Sequence, residues 1–145
     1  MRPDTWQAID EMFQEDPVLR AEEVSCEEID AAAAQAGFQL GSDYREIVHR
    51  YGGGIVGSYR VYGLRRAPAM GRTEGSVFEI TRDFRRQRWP GVNDWLVIST
   101  DHAGNPVGLD EEGKVWISDH DAGVVEVIAN SFEEYVRKRC LNMTD

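Results

Sequence analysis

Three consecutive glycines, Gly52-Gly53-Gly54, divide this chain into two parts with different hydrophobic periods. Before them, apolar side chains recur three and four residues apart, the spacing of one helix face. After them come short apolar runs separated by Gly and Asp turns, the pattern of strands, with one helical stretch interposed. Helices first and closely connected strands afterwards predict an α+β fold. The expected architecture is N-terminal helices packed on a mostly antiparallel sheet, with an inserted helix and a C-terminal helix, in a single domain over residues 1–145.

The first helix is carried by Trp6, Ile9 and Phe13, with Asp4 or Thr5 as its cap and Pro17 as its end. Ser25 and Glu28 have the spacing of a capping box, Val24 and Ile29 that of a hydrophobic staple. Ile29, Ala32, Ala33 and Ala36 then form a narrow apolar stripe that stops at Gly37. A third helix from about Ser42 packs through Tyr44, Ile47, Val48 and Tyr51 and ends at the glycines. Ile55 to Leu64 is expected as one strand, with Tyr59 and Val61 on one face, and 65–73 as loop. Val77, Ile80 and Phe84 mark a fourth helix whose outer face carries Arg82, Arg85, Arg86 and Arg88, closed by Trp89-Pro90-Gly91. Trp95–Thr100, Val107–Asp110, Lys114–Ser118 and Val124–Ile128 form a meander, with Asp110-Glu111-Glu112-Gly113 as one hairpin turn. Ser131 and Glu134 open the last helix, which buries Phe132, Tyr135, Val136 and Cys140.

The formal net charge of −10 opposes nucleic acid and anionic membranes and draws basic partners. Arg60, Arg65, Arg66, Arg72, Arg82, Arg85, Arg86 and Arg88 crowd the middle third between acidic flanks. A solvated face paired with the chain's own acids is the expectation for them, so no nucleic-acid partner is assigned. No apolar run approaches the ~20 residues of a membrane-spanning helix, and Met1-Arg2-Pro3-Asp4 lacks the layout of a secretory signal, so a cytoplasmic location is expected. Lys114 and Lys138 are the only lysines, and the bias to Arg with Ala-rich helices fits a GC-rich bacterial genome.

Features that imitate chemistry have simpler readings. The glycine run follows a helix and precedes a strand, the reverse of a dinucleotide cradle, and no Lys-Ser/Thr ends it as in a phosphate loop. Asp101, His102, Asp119, His120 and Asp121 fall at one edge of the meander, about 10 Å apart at the backbone for strands two apart. Two His and three Asp are suitable cation ligands, but they lack a strict ligand spacing. Polar turns with exposed histidines are expected instead, with no metal and no cofactor. Cys26 and Cys140 stand far apart in sequence and read as small apolar side chains, and His49 as a packed or surface histidine. No Ser, Cys or Lys lies in a nucleophile motif, so the chain is not read as an enzyme.

Four stretches then carry a family resemblance. Ser42-Asp43-Tyr44-Arg45-Glu46-Ile47-Val48 runs into Tyr51-Gly52-Gly53-Gly54. Trp95-Leu96-Val97-Ile98 precedes Asp101-His102-Ala103-Gly104-Asn105. Gly113-Lys114-Val115-Trp116 and Ala129-Asn130-Ser131-Phe132-Glu133-Glu134-Tyr135 follow in order. Together, from about Ser25 to Tyr135, they resemble the SUKH superfamily, the Smi/Knr-type fold. Leu40-Gly41 replaces the family's Leu-Pro pair, and Tyr51 or Gly52 its Asn before the glycines. The resemblance implies a helical layer on an antiparallel sheet, no catalytic residues, and, for bacterial members, an immunity protein that binds and neutralises a cognate toxin domain, often a nuclease. The alternative it carries is a regulatory or scaffold protein holding a cellular partner. Partner-binding candidates are Asp101, Asp110, Glu111, Glu112, Asp119 and Asp121 on predicted turns, His102 and His120 beside them, and Tyr59 and Tyr62 as candidate aromatic anchors, with core packing the expectation for at least one of the two tyrosines.

Overall fold

The computed structural model describes residues 1–72 and 74–144. Helix α1 spans Pro3–Glu15, with Pro3 supplying the φ of a first turn. Neither Asp4 nor Thr5 caps it: the N-cap is Arg2, without a side-chain cap bond. Thr5 is fully buried inside the helix, where its hydroxyl donates to Glu133 Oε2 at 3.0 Å and accepts from Arg137 Nη1 at 2.7 Å. A buried hydroxyl needs partners, and these two tie α1 to the far end of the chain. Ile9 and Phe13 are buried as the periodicity predicts, and Trp6 is half-buried.

Helix α2 (Cys26–Ala36) starts with Ser25 Oγ accepting from the Glu28 amide at 3.1 Å and stops at Gly37, φ 81°. Ile29 and Ala33 of its stripe are buried, while Ala32 is half-buried and Ala36 exposed, so the packed face is narrower than the sequence suggests. Helix α3 (Ser42–Tyr51) buries Tyr44, Ile47, Val48 and Tyr51. Burial pushes the Tyr44 phenol far above its ordinary pKa, and its hydroxyl donates to the Tyr62 carbonyl.

The glycines do more than stop α3. Gly52 (φ 76°) and Gly53 (φ 138°) take conformations that favour glycine. A Cβ on Gly52 would lie 2.0 Å from the Glu22 carbonyl oxygen, and one on Gly54 2.9 Å from the Phe13 ring. Two chain segments press on this point: the Ala21 amide donates to the Gly53 carbonyl and the Arg65 amide to the Gly52 carbonyl, both at 3.0 Å. The space a phosphate would need is filled with protein backbone.

The expected single strand over Ile55–Leu64 is a hairpin of β1 (Gly54–Val56) and β2 (Tyr59–Val61). Gly57, φ 67°, makes the reversal, and a Gly-Ser loop between Ile55-Val56 and Tyr59-Arg60-Val61 is the signal that periodicity alone overlooks. The stretch read as loop over 65–73 carries neither helix nor strand where described; Thr73 lies outside the described residues. Helix α4 (Val77–Arg86) opens with a reciprocal capping box, the Ser76 hydroxyl accepting from the Glu79 amide at 3.3 Å and the Glu79 carboxylate from the Ser76 amide at 3.1 Å. Those bonds hold the Glu79 carboxyl below its ordinary pKa.

The rest is the expected meander: β3 (Leu96–Thr100), β4 (Pro106–Leu109), β5 (Val115–Asp119) and β6 (Val124–Ala129) complete a six-stranded antiparallel sheet in order β1-β2-β3-β4-β5-β6. The chain closes with a helical turn, α5 (Phe132–Glu134), that continues as a π-helical stretch, Tyr135–Cys140. One sheet face carries Leu96, Ile98, Val107, Val115 and Ile117 into the main core with α1, α3 and α5. The other carries Trp95, Val97 and Trp116 against Ile80 and Phe84 of α4. Thr81 fixes that helix to the sheet, because its hydroxyl accepts from the Val97 amide at 2.9 Å and donates to the Val77 carbonyl at 2.8 Å.

Trp95 lies directly on Gly108, where an added Cβ would meet the indole at 2.5 Å. Gly108 pairs in register with both Val97 and Trp116, and its missing side chain lets Trp95 stack on Trp116 two strands away, centroids 6.1 Å apart. Gly108→Ala is expected to destabilise the protein by about 1–3 kcal/mol in urea unfolding, the range for overpacking a filled site. Gly41→Ala, with open space around it, is the control expected to stay within about 0.5 kcal/mol. Burial pushes the Cys140 thiol up to about 12, which keeps it protonated at neutral pH, whereas Cys26 is half-buried. Native protein is expected to lose one thiol, Cys26, to a thiolate-selective reagent, and the second only on unfolding, as peptide mapping would show.

Candidate functional site

The ten candidate partner-binding residues are not brought together, because the meander sends them to opposite ends of the sheet. Tyr59, Asp101, His102, Asp119, His120 and Asp121 stand at one end, and Asp110, Glu111 and Glu112 on the β4–β5 hairpin at the other. Tyr62 joins neither group: it is 7% exposed, packs in the main core, and bonds Thr100 Oγ1 through its hydroxyl at 3.0 Å. As a core tyrosine it takes the packing role expected for at least one of the two tyrosines and offers a partner little surface.

At the first end Asp101, Asn105 and Asp119 are bonded within the turns. Asp101 Oδ1 accepts from the amides of Ala103 (3.0 Å) and Asn105 (2.8 Å). Buried Asn105 then bridges the two turns, donating through Nδ2 to Asp101 Oδ2 at 2.9 Å and accepting from the His120 amide through Oδ1 at 3.0 Å. Asp119 Oδ1 accepts from the Ala122 amide at 3.0 Å. His102 stacks on Tyr59, centroids 4.4 Å apart, with Nε2 3.0 Å from Ser58 Oγ, and His120 meets the Trp89 ring at 5.6 Å. Among the described residues no three His, Cys, Asp or Glu side chains gather as a metal ion would need. Asp101 and Asp119 cap turn amides, the chemistry expected of Asx turns, and Asp121 is exposed.

The other end is open. A groove of about 1260 Å³ runs between the α2–α3 link, residues 37–41, with Ala36 at the end of α2, and the β4–β5 hairpin. Phe38, Leu40, Trp95 and Trp116 give it apolar walls, and Asp94, Asp110, Glu111 and Glu112 line it with carboxylates. Asp110 is spent on structure: Oδ1 accepts from the amides of Glu112 and Lys114, both at 2.9 Å, and Oδ2 from the Trp116 indole at 2.8 Å. Glu111 and Glu112 remain exposed on the turn that Asp110 shapes.

Arg85, placed by helical periodicity on the outer face of α4, turns inward instead. It donates to the carbonyls of Val92 (3.0 Å) and Trp95 (2.8 Å) and lies 5.1 Å from the Phe38 ring. Other arginines of the middle third pair with the chain's own acids, Arg60 with Glu74 and Arg65 with Glu28, each at 2.6 Å, while Arg82, Arg86 and Arg88 are exposed. Phe38, Asp94 and Trp116 line the groove although no motif in the sequence singles them out as site residues. For Trp116 the signal was present, since strand alternation sets it opposite the inward Val115 and Ile117.

Residues 23–138 match the sequence profile of the SMI1 / KNR4 family (SUKH-1). The chain belongs to this SUKH family. Comparison with curated proteins gives no match. The matched span of this SUKH protein begins after α1 and ends within the π-helical stretch, so it holds the whole sheet and both candidate surfaces.

The closed end generates a test of its structural role. Asn105→Ala removes the bridge and leaves the His120 amide and an Asp101 oxygen without their partner. An unfolding free energy lower by about 1–3 kcal/mol is expected, with faster amide exchange at His120. An unchanged exchange rate would show that the bridge does not hold the two turns together.

Proposed function

We propose that this protein is an immunity protein of the cytoplasm, which binds a cognate toxin domain and blocks it without catalysis. Membership of the SUKH family carries the reading, since the bacterial members it resembles neutralise toxins. The net charge of −10 supports a basic target such as the substrate cleft of a nuclease. Long-range attraction between opposite fields speeds encounter, and buried anchors at the contact slow release. Among the described residues no helix is long and apolar enough to cross a membrane, in keeping with a partner met in solution.

Co-expression with a toxin domain encoded beside the gene tests this. Rescue of growth and copurification of a complex are expected, with an association rate that falls about tenfold or more between low and high salt. Failure of both rescue and copurification rejects the immunity reading. A stable complex with a resident cellular protein, and none with any toxin, would favour the scaffold alternative.

A further inference from the structure

We propose that the groove between the α2–α3 link and the β4–β5 hairpin is the docking site for an arginine side chain on the basic surface of a partner protein. The proposal rests on the reading of this chain as a protein that docks another, and adds where and through what chemistry it does so.

The floor comes first. Trp116 is half-buried, so part of its indole faces the groove, and it cannot swing freely. Its Nε1 is held by Asp110 Oδ2 at 2.8 Å, and its ring lies nearly parallel to Trp95, with planes 20° apart. Trp95 in turn rests on the bare backbone of Gly108. An aromatic surface fixed before binding loses little freedom when a ligand covers it.

The rim comes second. Asp110 is consumed within its own turn, but Asp94, Glu111 and Glu112 are exposed. Among the described residues, the one ion pair in the groove that involves them is Lys114 with Glu112, loose at 3.9 Å. The other cation lining the groove, Arg85, is turned to the carbonyls of Val92 and Trp95. The groove therefore offers carboxylates that no guanidinium among the described residues satisfies. A guanidinium stacks on an indole face while its edge donates to carboxylates, whereas an ammonium is compact and more strongly hydrated. A neutral segment seated here would strip water from the carboxylates and give nothing back.

The surroundings give a partner more to cover. Val127 pairs in register with Trp116, and both Val127 and Val125 are 39% exposed on β6, the last strand of the sheet. An apolar strip thus leads from the groove floor to the sheet edge, next to the cation site.

Titration of the 15N-labelled protein with acetyl-Gly-Arg-Gly-Arg-Gly-amide at low salt tests the proposal directly. The Trp116 indole signal and the amides of 110–114 are expected to move most. A Glu111→Gln, Glu112→Gln double variant keeps the Asp110 bonds and is expected to bind the peptide at least fivefold more weakly. The lysine counterpart of the peptide is expected to bind more weakly than the arginine one. The proposal is overturned by any of four results: no binding at millimolar peptide, shifts spread equally over the 101–105 and 119–123 turns, an unweakened double variant, or equal binding of the lysine peptide. Growth rescue separates this proposal from the immunity reading. Peptide seated in the groove of a protein that neutralises no toxin leaves the groove standing and removes the immunity function. Full rescue and an unweakened toxin complex with the double variant do the reverse.

Discussion

The close crossing at Gly52-Gly53-Gly54 is the constraint on which the rest of the fold depends. Three segments meet there: the end of α3, the chain at Glu22 leading into α2, and the chain at Gly63–Arg65 leaving β2. Any Cβ on Gly52, Gly53 or Gly63 would press first on backbone, which cannot move aside as the end of a side chain can. Backbone hydrogen bonds from Ala21 and Arg65 then lock the crossing. With that point fixed, Phe13 of α1 reaches Gly54, and Tyr51 packs edge-on against Phe13 with centroids 4.9 Å apart. The helical layer and the first hairpin are thereby set in one arrangement.

A second glycine decides the other face of the sheet. Gly108 leaves a gap on β4 that Trp95 fills, so Trp95 and Trp116 form one aromatic surface across three strands. Helix α4 covers part of it through Ile80 and Phe84. What it leaves uncovered becomes the groove wall. The sheet is thus sandwiched unevenly: the main core fills one face, and the opposite face is partly covered and partly presented to solvent.

Charge alone is a poor guide to which acids can meet a partner. Asp101, Asp110 and Asp119 all sit on turns, yet each carboxylate is engaged by backbone amides two to four residues on. A carboxylate so engaged shapes its turn and has less to give a ligand. Glutamates on the same turns lack the short reach that Asx turns require, and Glu111 and Glu112 project outward. The acidic field that attracts a basic protein is set by the whole chain, but contact falls to the acids that the turns do not use.

Helix periodicity, the cap at Ser25, the α+β order of elements, the meander and the family pattern were all legible in the sequence, because each depends on residues near one another along the chain. The β1–β2 hairpin was missed because its two strands are three residues each, too short for alternation to show the break at Gly57. Arg85 and Thr5 escape the local pattern for a different reason: their partners, Trp95 and Arg137, lie on other elements. Local pattern gives a residue its element and face, whereas the partner of a polar tip is chosen by what the fold packs against it. The sequence by itself therefore determined the elements, their order and the sign of the field. Only the tertiary structure decided that the acidic turns divide between two ends of the sheet, because antiparallel strands carry alternate turns in opposite directions.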